Sequence, residues 1–208
     1  MIGCSAPPEI LTAASRARLF SPFAGLCRVG IAVSGGPDST ALLVLFDRWK
    51  HESPAAPVLH VLTVDHGLRP EAAREADAVL DLAARLGHPA EKLVWRHDRP
   101  PPTTDIQAEA RAARYRLLVE AARRHKLDAV LLAHTRDDQA ETLLMHMARG
   151  SGVAGLAGMP AERTIEGVRF LRPLLDVTKA DLVAVLDDTG IPYVTDPSNA
   201  SDRYTRVR

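Results

Sequence analysis

Ser34-Gly35-Gly36-Pro37-Asp38-Ser39 packs two glycines, an aspartate and two hydroxyls into six residues. Ile31-Ala32-Val33 run into this segment and Ala41-Leu42-Leu43-Val44-Leu45 follow it, which reads as strand, glycine turn and helix start. Such a turn is an anion site. Glycines let backbone N–H groups approach a phosphate, and the helix N-terminus adds its dipole. No lysine follows, which separates the segment from the Gly-x-x-x-x-Gly-Lys-Ser/Thr loop. Asp38 brings a negative charge instead, and it would repel a phosphate unless a metal ion or a cationic substrate lay between them. The plainer alternative is a strand–helix turn with Asp38 as a cap.

A second cluster follows Ala133 with His134, Asp137, Asp138 and Glu141. His134 is expected to end a strand, and Asp137 and Glu141, four apart, share one helix face. Acids and an imidazole gathered at a strand end can hold Mg²⁺, with Asp38 and Asp138 as its candidate ligands, or orient an amine nucleophile. The alternative is a capped helix with stabilising acids in its first turn. Arg111 and Arg114, three apart, point from one helix face and suit phosphate or carboxylate recognition, or form a solvated face. Val64-Asp65-His66-Gly67-Leu68-Arg69 closes another strand and sets Asp65 and His66 beside the glycine loop, although a loop histidine without a role is the simpler reading of His66.

Apolar runs suited to buried strands at Arg28–Val33, Val58–Val64, Lys92–Trp95 and Ala129–Ala133 position these groups. They alternate with helical stretches at Ser39–Lys50, Pro70–Leu86, Ile106–Lys126 and Asp137–Arg149. Pro70 suits a first helical turn, and Gly87 suits a C-terminal stop. Gly150–Gly158 reads as a glycine-rich loop, Arg99–Thr104 as a stiff loop, Thr164–Leu171 as a short hairpin around Glu166-Gly167, and Lys179–Thr189 as a last helix. The alternation predicts an α/β fold, a doubly wound, mostly parallel sheet of about five strands with ligands at the strands' carboxyl ends. A helix at Pro8–Phe20 would make residues 1–27 a lead-in to a catalytic domain over 28–208.

The 208 residues suffice for one substantial domain. Lys plus Arg and Asp plus Glu number 26 each, so bulk charge announces no nucleic-acid partner. No apolar run approaches the ~18 residues of a membrane span, and Met1–Pro8 lacks the pattern of an export signal, so a cytoplasmic protein without a membrane partner is expected. Cys4 and Cys27 make no metal spacing and no Cys-x-x-Cys pair, which fits a reducing compartment.

The glycine segment resembles the pyrophosphate loop of ATP pyrophosphatases, which cut ATP between the α- and β-phosphates. Ser34–Ser39, Val64–Arg69, Ala110–Tyr115, His134–Thr142, Arg149–Leu156, Arg172–Leu175 and Asp196–Asn199 follow one another in order. Together they are similar to the amino-terminal catalytic domain of the tRNA(Ile)-lysidine synthetase family. The likeness runs from about Arg28 to the end, and Arg-Gly-Ser-Gly with Asp-Pro-Ser-Asn are its most specific parts. It departs at Thr103-Thr104-Asp105-Ile106, where the family often has Gly-x-Asn.

The resemblance implies an adenine nucleotide alpha hydrolase-like fold and an ATP- and Mg²⁺-dependent ligase. Its partners would be free lysine and the isoleucine tRNA with a CAU anticodon, whose wobble cytidine is adenylated and then converted to lysidine. It implies nucleotide contacts at Ser34, Gly35, Gly36, Pro37, Asp38, Ser39, Asp65 and His66, and chemistry at Asp38, Arg111, Arg114, His134, Asp137 and Glu141. Arg203–Arg208 resembles a stretch that in the family leads into carboxy-terminal tRNA-binding domains, so a fragment or truncated product is expected. The rival readings are a tRNA thiolase on the same adenylating domain and a non-catalytic nucleotide-binding module. Oligomeric state is left open, with a homodimer as one option.

Overall fold

The computed structural model describes residues 12–68, 70–96, 106–148 and 157–194. Arg69, the Arg99–Thr104 loop, Arg149–Leu156, Asp196–Asn199 and the terminal arginines lie outside the described residues, as does the Pro8 end of the expected first helix.

The strands are β1 (Arg28–Ala32), β2 (Val58–Asp65), β3 (Ala90–Val94), β4 (Ala129–Leu131), β5 (Glu162–Ile165) and β6 (Val168–Leu171). They form one six-stranded sheet in the order β3-β2-β1-β4-β6-β5. β1 pairs in parallel with β2 and β4, β2 with β3, and β4 with β6. β5 is the one antiparallel edge, joined to β6 through the hairpin expected around Glu166-Gly167. Glu166 (φ 49°) and Gly167 (φ 82°) both take left-handed backbone there, as a tight hairpin turn requires. The sheet therefore adds one edge strand to the five expected.

The helices are α1 (Ala13–Phe20), α2 (Pro37–Glu52), α3 (Pro70–Arg85), α4 (Ile106–His125), α5 (Arg136–Ala148) and α6 (Lys179–Thr189). Strand alternation divides the core between the two faces. Leu59, Val61 and Leu131 pack with α1, α2, α3 and α6, whereas Leu62, Val130, Leu132 and Phe170 pack with Tyr115, Leu118, Val119 and Ala122 of α4. Helices on both faces make the sheet doubly wound. Phe20 of α1 lies within 6 Å of both Phe46 (5.2 Å) and Trp49 (5.6 Å) of α2, measured between ring centroids, which ties the lead-in helix into the main core.

Local chemistry explains the boundaries. Pro37 occupies the first turn of α2, where its missing N–H costs nothing. Gly87 (φ 74°) stops α3 as expected, with the N–H groups of Gly87 and His88 returned to Ala84 and Ala83 carbonyls. β4 stops at Leu131, short of the expected Ala133. Leu132 N–H makes one further ladder bond, to the Leu171 carbonyl, and the chain then leaves for α5. His134 therefore sits in the β4–α5 connection and does not end the strand.

Candidate active site

The glycine turn leaves the carboxyl end of β1, and its own side chains hold its shape. Ser39 Oγ accepts the Ser34 N–H at 3.0 Å and lies 3.1 Å from Ser34 Oγ. It also donates to the Gly36 carbonyl at 3.2 Å. Gly35 has φ 84°, a conformation that L side chains rarely adopt, and its carbonyl accepts the Val194 N–H at 2.9 Å. The loop is thus closed from within and pinned from the far end of the described chain.

Asp38 follows in the first turn of α2. Its Oδ1 is buried and has no hydrogen-bond partner among the described residues. Burial raises its carboxyl to about 6; Lys179 pulls the other way, while Asp138 and Asp137 add to the rise. An acid in that state is one the protein has not neutralised.

The start of α5 faces it. Asp138 caps its own helix: its Oδ2 accepts the Thr135 N–H at 2.8 Å and the fully buried Thr135 hydroxyl at 3.0 Å. Its Oδ1 lies 2.9 Å from Lys179 Nζ. Burial alone would push Asp138 up, but the bonds from Thr135 and Lys179 outweigh it and hold the carboxyl below its ordinary value. Asp137 Oδ2 accepts the Lys179 backbone N–H at 2.9 Å, at the start of α6. Lys179 is itself raised: burial opposes its charge, and Asp138, Asp38 and Glu141 more than offset that. Glu141, one turn on, is exposed.

A cationic group lies on the α4 side. The guanidinium carbons of Arg111 and Arg114 sit 5.6 and 5.9 Å from the centre of the Tyr115 ring, so both arginines gather at one aromatic side chain. Arg114 Nε and Tyr115 Oη are buried without a partner among the described residues. Burial holds the Arg114 pKa below the ordinary arginine value, and Arg111 and Arg172 add to that. His134 falls to about 4, driven by burial and then by Arg114 and Arg172. Arg172 Nε donates to His134 Nδ1 at 3.3 Å.

Asp65 ends β2 as expected and is buried, with Oδ1 taking the Gly67 N–H at 2.9 Å. His66 stands edge-on to Trp95, with ring centroids 6.0 Å apart. Because β1 and β2 are parallel neighbours, both residues lie at the same sheet end as the glycine turn.

Three contributors carried no assigned role in the sequence reading: Lys179, Arg172 and Gln139. Gln139 clamps the loop after the undescribed segment, donating to the Met159 carbonyl at 2.9 Å and accepting the Met159 N–H at 2.6 Å. A signal for Lys179 was present. The chain has only four lysines among its 26 basic residues, and one of them follows Thr178 at a helix start.

The site's residues suit a nucleotide with Mg²⁺. That ion is commonly held by one or two carboxylates and substrate phosphates; Asp38 has a buried oxygen left over for it, whereas the oxygens of Asp138, the neighbouring candidate, are engaged by Thr135 and Lys179.

The family model for the PP-loop domain matches residues 11–208. The chain belongs to the PP-loop family. Among curated relatives, it is 53% identical over 200 residues to tRNA(Ile)-lysidine synthase of Rhodopseudomonas palustris, covering 96% of this chain and 57% of that protein. It is 49% identical over 198 residues to tRNA(Ile)-lysidine synthase of Bradyrhizobium diazoefficiens, covering 95% of this chain and 54% of that one. The chain thus spans about half the length of these relatives. Among solved structures, the PP-loop fold matches the U34-tRNA thiolase NcsA of Methanococcus maripaludis with TM-score 0.74 and 18% identity, over 91% of this chain and 71% of that one. A phosphoadenylyl-sulfate reductase from Candida auris gives TM-score 0.57 at 12% identity, over 88% and 82%. Both show the fold alone. No helix among the described residues is long and apolar enough to cross a membrane.

Proposed function

We propose that this chain is the catalytic portion of a tRNA(Ile)-lysidine synthase, joining free lysine to the wobble cytidine of the CAU-anticodon tRNA at the expense of ATP. About 50% identity to proteins of that name, over 200 and 198 of this chain's residues, carries the reading. The geometry agrees with it. An adenylating enzyme for an amine nucleophile needs a phosphate cradle, an acid group for a cation and guanidinium groups for developing phosphate charge.

In the first step the cytidine C2 oxygen attacks the α-phosphorus, the α–β P–O bond breaks and pyrophosphate leaves. In the second the lysine ε-amine, having lost a proton, attacks C2; the C2–O bond breaks and AMP leaves. Backbone N–H groups of Gly35, Gly36, Asp38 and Ser39 hold phosphate oxygens, since Pro37 has no N–H and that of Ser34 is taken by Ser39 Oγ. Mg²⁺, when bound, would offset phosphate charge, with Asp38 as its protein ligand and Asp138 as the neighbouring candidate. Asp137 and Glu141 orient the ammonium of the incoming lysine, and Arg111 and Arg114 steady the negative charge that builds on the leaving groups. Asp65 and His66 border the nucleotide from β2.

The thiolase reading is weaker on position. Cys27 precedes β1 whereas the glycine turn follows it, and a strand's rise of ~3.3 Å per residue puts the two roughly 20 Å apart. Transfer of radiolabelled lysine to unmodified CAU-anticodon tRNA, with no transfer to the GAU-anticodon tRNA, is the expected outcome. Sulfide-dependent labelling of the tRNA would overturn the reading.

A further inference from the structure

We propose that Arg172 locks His134 as the neutral tautomer protonated on Nε2, so that His134 serves the site as a hydrogen-bond donor to an oxyanion and not as a base. Arg172 leaves β6 at the sheet end that carries α5, and it is nearly inaccessible at 5% exposure. Three bonds fix it. Its backbone N–H donates to the Ala161 carbonyl at 2.8 Å, and its Nη1 donates to the Pro160 carbonyl at 2.7 Å. Its Nε donates to His134 Nδ1 at 3.3 Å. A guanidinium has donors only. The ring nitrogen facing Nε must therefore present its lone pair, which leaves the single proton of a neutral imidazole on Nε2.

The surrounding charges work in the same direction. Arg114 and Arg111 of α4 act on the ring electrostatically, Arg172 touches it from the β6–α6 connection, and Asp138 on α5 is the acid acting on it. Adding a proton at Nδ1 would break the bond to Arg172 and set a fourth cation among three guanidiniums. Arg172 is thus a positioning residue. It removes the nitrogen that could act as base and commits the other to donation. An Nε2–H donor in the positive field of Arg111 and Arg114 suits a phosphoryl or carboxylate oxygen. The inference concerns the ring itself and holds for whichever substrate the site activates.

The test is nitrogen NMR on the full chain labelled in its histidine rings, with the His134 signals identified by their loss in His134→Gln. Between about pH 5 and 8 the wild-type ring should keep a pyridine-type Nδ1 and a pyrrole-type Nε2 without titrating. Arg172→Met should give mixed tautomers and move the midpoint from about 4 toward the ordinary imidazole value near ~6.5. Turnover adds a second readout. His134→Gln, whose amide reaches the Nε2 position, should retain at least tenfold more activity than His134→Asn, whose amide reaches only the Nδ1 position. A wild-type ring protonated on Nδ1, or titrating near ~6.5, overturns the proposal. So does an unchanged tautomer in folded Arg172→Met or the reverse order of the two His134 variants. Should Arg172→Met fail to fold, Arg172→Leu, which likewise has no donor, is read in the same way, and the wild-type spectrum alone still decides the tautomer.

Discussion

Lys179 is held twice by the start of α5: its backbone N–H donates to Asp137 Oδ2 at 2.9 Å, and its ammonium lies 2.9 Å from Asp138 Oδ1. One residue thereby joins the starts of α5 and α6, and it is the nearby cation that opposes the rise of Asp38. Lys179→Met should cost about 1 kcal/mol of stability, since the pair is part-exposed at 38% and 25%. It should also raise the Asp38 pKa above about 6. Urea unfolding and carbonyl NMR of the variant check both; an unchanged Asp38 would show that Lys179 does not act on it.

Asp38→Asn should abolish ATP turnover while stabilising the nucleotide-free protein. The Asp38 carboxyl ionises near 3.8 in the unfolded chain and at about 6 in the fold, so its ionisation opposes folding as pH rises through that window. Above pH ~6 the variant should be more stable than the wild type by about 1–2 kcal/mol, the linkage value reduced for screening at a part-exposed carboxyl, and below pH ~4 the two should coincide. Denaturant midpoints across pH measure this. A variant no more stable at neutral pH would mean that Asp38 is already neutralised by its surroundings.

His134 acts with the opposite sign. Its pKa falls from 6.5 to about 4 on folding, so the stability it secures is full above ~6.5 and is lost as pH falls toward 4. The two groups nearly offset each other between pH ~4 and ~6. His134→Gln should therefore become more stable than the wild type in acid, by up to about 3 kcal/mol, with little change above neutrality. A parallel loss at every pH would assign His134 a packing role instead.

Gly35→Ala tests whether the loop's shape depends on backbone conformation. An added Cβ would meet Val79 Cγ2 at 3.6 Å and Val194 Cγ2 at 3.7 Å, which is ordinary contact, so space is not the obstacle. The obstacle is φ 84°. The variant should lose about 1–2 kcal/mol and bind ATP more weakly. Calorimetric titration and thermal melts check it, and unchanged ATP affinity would show that the cradle does not need the left-handed residue.

Much of the fold was legible because it rests on local periodicity. The apolar run before Ser34 and the helix after it could only be a buried strand and a buried helix, and the Glu166-Gly167 turn named its own hairpin. Two things escaped. The length of β4 depends on what β6 offers it, and β6 lies forty residues further along the chain, so no local pattern placed His134 beyond the strand. Lys179 and Arg172 reach the site from 41 and 38 positions past Asp138 and His134, by Lys179–Asp138 and Arg172–His134 contacts that only the sheet order creates. Short-range spacing identified Asp38, Asp137 and Asp138 as chemistry-bearing, but it carried no information on which of them the fold would neutralise. Burial and Lys179 decide that: Asp138 is paired, and Asp38 keeps a buried oxygen to spare.

The glycine turn and Asp38 together are the account's centre, and the products of ATP cleavage test them most directly. ATP labelled at the α-phosphate is incubated with the chain, Mg²⁺, lysine and unmodified CAU-anticodon tRNA(Ile), and the nucleotide products are resolved. The account predicts AMP and pyrophosphate in equal amounts, dependent on the tRNA and lost in Asp38→Asn. ADP with inorganic phosphate, or cleavage undiminished by Asp38→Asn, would contradict it.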